Sequence, residues 1–176
     1  MDLIISASGR EGSRTRLVAA HYQDLLAEKG VKSRLFSLSG VDVLHRNSEF
    51  EQIEQEYIEP ARRIYFIVPE YNGSFPGILK CFIDNVQNYL LWRGKTALMT
   101  GVSTGRAGNL RGMDHLSGVL NYLQVTVYPN RLPISGIAKL LDENGRLNDT
   151  ATLKAINEQL DGFLIWSGQH SFILQP

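Results

Sequence analysis

The sequence predicts an α/β protein built on a doubly wound parallel sheet of five strands. Three observations predict it. Strand and helix patterns alternate along the whole chain. Ile64-Tyr65-Phe66-Ile67-Val68 is apolar on both faces, as a central parallel strand must be. Glycine-rich turns stand where strands pass into helices, which is where open α/β sheets place their ligand loops.

Leu3-Ile4-Ile5 is the first strand. From Ser13 to Lys29, Leu17, Val18, His21, Leu25 and Leu26 share a helical face, and Gly30 ends the helix. Ser33 to Leu38 reads as an edge strand. Ser48 to Tyr57 is an acidic helix, with Glu49, Glu51, Glu54 and Glu56 on a solvated face. Pro60 suits the first turn of a second short helix. After the central strand, Pro76 opens a helix carrying Leu79, Phe82, Ile83, Val86 and Leu90, with Ser74 as its cap. Thr96 to Val102 is the fourth strand. Leu110, Met113, Leu116, Leu120 and Leu123 mark the next helix, beginning near Gly108. Gln124 to Tyr128 is the last strand. Asp142-Glu143-Asn144-Gly145 is a turn, and Leu153, Ile156, Leu160, Phe163 and Leu164 form the closing helix. The tail after Gly168 is too short for an element of its own. This pattern implies one domain over residues 1–176. Its fold is flavodoxin-like, three-layer α/β/α, with strand order 2-1-3-4-5 and a ligand site between strands 1 and 3.

Composition narrows the function. Lysine plus arginine equals aspartate plus glutamate, 18 each, so nothing marks the chain for nucleic acid or an anionic membrane. No apolar run reaches the length of a membrane helix, and the N-terminus lacks a signal-peptide pattern. The single Cys81, read as a buried, inert thiol, points to a reducing cytoplasm. The four histidines have no metal-ligand spacing. His21 reads as a half-buried packing residue.

Three loops carry the chemistry. The first, Ser6 to Thr15, runs from strand 1 into a helix whose N-terminal N–H groups attract anions. Ser8, Ser13 and Thr15 add hydroxyls, and Arg10 adds a charged fork of donors. A P-loop is excluded because the segment has no lysine, and the G-x-G-x-x-G fingerprint is absent. The second loop, Pro69 to Gly77, offers backbone groups and the Tyr71 and Asn72 side chains to a flat, polar-edged ring. The third, Thr100 to Asn109, has glycines that let a ring lie against backbone, with Ser103 and Thr104 as hydroxyl donors. A ring joined to a phosphate describes flavin mononucleotide, FMN.

The third loop also holds Gly101-Val102-Ser103-Thr104-Gly105, which matches the nucleophile elbow of serine hydrolases. A triad would use Ser103, Asp142 or Asp161, and His170. The turn is long for an elbow and no oxyanion loop accompanies it. A flavodoxin-type electron carrier is a second rival, disfavoured by the neutral charge balance. Tyr89, Leu91 and Trp92 read equally as a core cluster or an oligomer contact.

Ser8-Gly9-Arg10-Glu11-Gly12-Ser13-Arg14-Thr15, Pro69 to Lys80 followed by Ile83-Asp84, and Ser103-Thr104-Gly105 with Gly108 together resemble the NAD(P)H-dependent FMN reductases. The resemblance covers nearly the whole chain in order. It implies non-covalent FMN, reduction by NAD(P)H, and quinone, flavin, azo or oxyanion acceptors. It also implies a homodimer or homotetramer. It assigns the phosphate to Ser8, Arg10, Ser13 and Thr15, and the ring to Pro69, Glu70, Tyr71, Asn72 and Gly73. Ser103, Thr104 and Gly105 close the other side. Arg14, also counted in the cofactor site, is with Arg106 and Arg111 a candidate for the 2′-phosphate of NADPH. No catalytic side chain is implied, because the flavin carries the chemistry. Thr15 stands where the family often has asparagine. Cys81, Phe82 and Asn85 also depart from its pattern.

Overall fold

The structure is a computed structural model that describes residues 1–170. Its parallel sheet runs β2-β1-β3-β4-β5, with a short sixth strand beside β4. The strands are β1 (Asp2–Ser6), β2 (Ser33–Ser37), β3 (Arg63–Pro69), β4 (Thr96–Val102), β5 (Thr126–Val127) and β6 (Leu132–Ile134). The helices are α1 (Arg14–Glu28), α2 (Ser48–Ile53), α3 (Gly77–Asn85), α4 (Leu110–Tyr122) and α5 (Thr150–His170). The order and the flanking helices are those read from the sequence.

Strand alternation sends neighbouring side chains to opposite faces. Leu3 and Ile5 of β1 face a core with Phe50, Leu79, Phe82, Met113 and Leu116. Ile4, between them, faces a core with Val18, Tyr22, Leu26, Leu160 and Phe163. Each fully buried large apolar side chain contributes roughly 1.5–3 kcal/mol. Helix α1 starts at Ser13, whose hydroxyl accepts from the Thr15 N–H at 3.2 Å, and Gly30 ends it at φ +73°. β2 is the sheet edge, and Arg34 guards it by lying over the Tyr57 ring and bonding Glu56.

Several local expectations are corrected. The expected fifth strand, Gln124 to Tyr128, shortens to Thr126–Val127, and a sixth strand that the sequence did not announce follows it. β5 pairs with Thr96 and Ala97, and β6 with Thr100, Gly101 and Val102. Pro129 interrupts the run, and the side chain of Gln159 fills the gap. Its amide donates to the Met99 and Asn130 carbonyls at 3.0 and 2.9 Å. Its oxygen accepts from Tyr22 and Thr100 at 2.7 and 3.0 Å. The helix expected after Pro60 does not form. α2 instead runs on into a π-helical turn, Glu54–Ile58, and Pro60 lies in the turn before β3. Glu54 is buried, not solvated, because its carboxylate binds Arg46 and caps the Gln87 N–H. Ser74 does not cap α3, since its hydroxyl bonds His115 Nδ1 at 2.8 Å. α3 ends at Asn85, so Leu90 lies outside it and is exposed, as are Leu17 and Leu110. Trp92 is core while Tyr89 is exposed, and Cys81 is half-buried. The expectation about a tail after Gly168 mostly falls outside the described residues; α5 runs to His170.

Candidate functional site

Parallel pairing aligns the C-terminal ends of β1, β3 and β4. Ser6 lies opposite Ile67, and Pro69 opposite Val102. The loops leaving these ends converge at the switch between β1 and β3, where helices depart to opposite faces. They enclose a cavity of about 240 Å³. Ser8, Arg10, Ser13, Arg14, Thr15, Pro69, Glu70, Tyr71, Ser103 and Thr104 line it, so ten of the thirteen residues singled out from the sequence meet there. Asn72, Gly73 and Gly105 do not line it.

The first wall is an anion cradle. The N–H groups of Glu11, Gly12, Ser13 and Arg14 have no hydrogen-bond partner among the described residues. They head α1, where the helix dipole adds partial positive charge. Gly12 has φ +61° and open space around its Cα, so an anion meets backbone directly. Ser8 accepts from the Arg10 N–H at 3.2 Å, which curls the loop over the end of β1. Neither Arg10 nor Arg14 has an ion-pair partner among the described residues.

The second wall is joined to the first. Ser8 Oγ and Tyr71 Oη lie 3.2 Å apart, and the Arg10 guanidinium sits 4.4 Å from the Tyr71 ring centroid. Cation–π contact of this kind orients both groups. Tyr71 and Ser74 exchange backbone hydrogen bonds across a tight turn, with Asn72 and Gly73 at its tip at φ +52° and +75°. The tip does not line the cavity, and the Arg111 guanidinium lies against Gly73. The asparagine and the glycine are explained by that left-handed turn.

The third wall is braced from below. Ser103 Oγ donates to the Gly105 carbonyl and accepts from the Gly108 N–H, both at 3.0 Å. The hydroxyl is spent on holding its own loop. No histidine or carboxylate contacts it among the described residues. Asp142 caps the N–H groups of Asn144 and Arg146, and Asp161 pairs with Lys29. The His170 side chain lies outside the described set. Among the described residues no hydrolase triad assembles around Ser103.

Two features escaped sequence reading. Ile137 lines the cavity, and its N–H bonds the Ser103 carbonyl at 3.0 Å. It comes from a short 3₁₀ turn after β6, and no local motif connects it to a loop 34 positions earlier. Asn109 is buried at 1% exposure and adopts φ +61°. Its amide donates to the Val68 and Pro69 carbonyls at 3.0 Å each, and its N–H donates to Glu70 at 3.1 Å. It ties the second loop to the third. An asparagine at the end of a glycine-rich loop, where αL is required, was the available signal.

A parallel sheet with an anion cradle beside a strand-end slot at its switch point defines a flavodoxin-like, mononucleotide-binding protein. The profile of the NADPH-dependent FMN reductases matches residues 3–139. The chain belongs to that family. An NAD(P)H-dependent FMN reductase of Pseudomonas aeruginosa is 35% identical over 117 residues, covering 64% of this chain and 62% of that protein. The chain thus matches about three fifths of that relative's length. A quinone reductase of Pseudomonas putida is 27% identical, with 93% and 92% covered. Among solved structures, the flavoenzyme NAD(P)H:(acceptor) oxidoreductase FerB of Paracoccus denitrificans superposes with a TM-score of 0.78. It is 25% identical, with 96% and 97% covered.

Proposed function

We propose that the protein is an FMN-dependent NAD(P)H oxidoreductase acting on small electron acceptors such as quinones. The observation that carries this is the single cavity shared by the anion cradle and the strand-end slot. The donor set fits a flavin mononucleotide: free N–H groups and hydroxyls for a phosphate, an aromatic hydroxyl and open backbone for a ring. Bound FMN would take two electrons from NAD(P)H and pass them to the acceptor.

The chain's own residues bind, orient and exclude. Ser8, Ser13, Thr15 and the Gly12–Arg14 N–H groups hold the phosphate, with Arg10 and Arg14 supplying charge. Pro69, Glu70 and Tyr71 flank the ring on one side, and Ser103 and Thr104 on the other. Asn72, Gly73 and Gly105 act indirectly by shaping the turns behind those walls. No side chain acts as nucleophile. A carrier-only role is disfavoured because the equal acid and base count lacks an acidic docking surface. The homodimer or homotetramer implied by resemblance would use the groove between α3 and α4, where Tyr89 and Tyr122 are exposed. The free Cys81 supports a cytoplasmic setting. No helix among the described residues is long and apolar enough to cross a membrane.

The test is a visible spectrum of purified protein with FMN, then anaerobic NAD(P)H. Flavin bands that bleach without a partner enzyme support the reading, and Arg10→Ala weakens FMN binding. Protein that stays colourless with excess FMN refutes it.

A further inference from the structure

A second cavity adjoins the first on the phosphate side. Its volume, about 730 Å³, falls within the range of roughly 300–1,000 Å³ common for small-molecule sites. Arg10, Glu11 and Gly12 line both cavities, so the anion cradle is the wall between them. From there the trough runs along α1 and over the C-terminal end of the edge strand β2.

The lining is polar with an aromatic floor. Arg16 is exposed and has no ion-pair or hydrogen-bond partner for its side chain among the described residues. Gln23, Ser37 and Ser39 add hydrogen-bonding groups, and Phe36 and Tyr57 pack together with ring centroids 4.9 Å apart. Arg10 and Arg16 against Glu11 leave one net positive charge. Apart from Arg10, Glu11 and Gly12, which the two cavities share, this lining is not used by a flavin mononucleotide, which ends at its phosphate.

We propose that this trough is an adenylate subsite, and that the protein takes FAD as well as FMN. The inference rests on the phosphate placement under the proposed function. Any group attached beyond a phosphate held at Gly12 to Arg14 leaves past Arg10 into the trough. In FAD that group is AMP, which brings one further phosphate and a flat purine. Arg16 receives the added phosphate, and Ser37, Ser39 and Gln23 receive the ribose and purine edges; Arg34 already covers the Tyr57 ring, so the purine lies beside the Phe36–Tyr57 pair and not on an open ring face. The adenylate half of NAD(P)H has the same chemistry, but it is not joined to the flavin phosphate, and continuity through the cradle favours FAD.

The experiment titrates flavin-free protein with FMN and with FAD, following flavin fluorescence, for wild type, Arg16→Ala and Ser37→Glu. Ser37→Glu puts a carboxylate into the trough without touching the first cavity. Each variant is expected to weaken FAD by about tenfold, the effect of one charge-assisted hydrogen bond, and to leave FMN affinity unchanged. FAD affinity insensitive to both variants overturns the proposal, as does wild-type protein that binds FMN but rejects FAD. Variants that spare FAD but raise the KM for NAD(P)H assign the trough to the hydride donor instead, and also overturn it. Failure of wild-type protein to bind either flavin brings down the function reading itself. Unchanged melting temperatures for the variants exclude misfolding as the cause.

Discussion

Replacing Asn109 by alanine tests whether the second and third loops are held together as the structure shows. The substitution removes two hydrogen bonds, to the Val68 and Pro69 carbonyls. Each contributes about 1 kcal/mol net, with more lost where the carbonyl stays buried and unpaired. Alanine at φ +61° adds roughly 1–2 kcal/mol of left-handed strain that asparagine tolerates. The sum is about 3–4 kcal/mol. For a chain of this size that lowers Tm by roughly 6–15 °C. Asn109→Gly is the control, because it loses the same hydrogen bonds without the strain and should recover about 1 kcal/mol. Urea unfolding of the three proteins, read by tryptophan fluorescence, measures both differences. An alanine variant within 1 kcal/mol of wild type, or a glycine variant no more stable than alanine, refutes the reasoning. FMN affinity should fall in both variants, since the Val68 and Pro69 carbonyls lose the side-chain amide that ties the second loop to the third.

Gln159→Leu keeps side-chain volume but removes the acceptor shared by the Tyr22 and Thr100 hydroxyls, which keep only each other, and leaves the Met99 and Asn130 carbonyls without their donor, at a cost of about 3 kcal/mol or more in chemical denaturation. Gly108→Ala places a Cβ 2.5 Å from the Pro133 side chain at φ +55°, so the third loop must shift; FMN affinity falls sharply, and crystallography of the variant shows the displaced loop. Burial lowers the Lys95 ammonium to about 8 from an ordinary 10.5, with the Ala61 carbonyl as its partner. The native state therefore binds fewer protons than the unfolded state between those values, so this group's contribution to stability rises with pH across that window. Relative to Lys95→Met, wild type should gain stability from pH 8 to 10.5 and hold a constant offset below pH 7. A flat difference across the whole range would contradict the burial argument.

Sequence by itself determined the alternation of strands and helices, the sheet order, and the three loops that meet at one end of it. These are local or topological matters: apolar period, caps, glycines, and the right-handed crossover rule. Ten of the cavity's lining residues were legible for the same reason, because each sits at a strand end, in the loop that follows it or in the first turn of the helix beyond. Tertiary structure decided the rest. The break in the last strand depends on Gln159 arriving from α5, 29 residues beyond Asn130. The burial of Glu54 depends on Arg46 and on the chain after α3. Ile137 and Asn109 are site-shaping only because distant carbonyls lie within hydrogen-bond reach. The positive φ of Asn72 and Gly73 belongs to the turn closed by the Tyr71–Ser74 backbone hydrogen bonds, whose tip does not line the cavity. Such contacts are set by where helices pack on the finished sheet, and no window of adjacent residues carries that information.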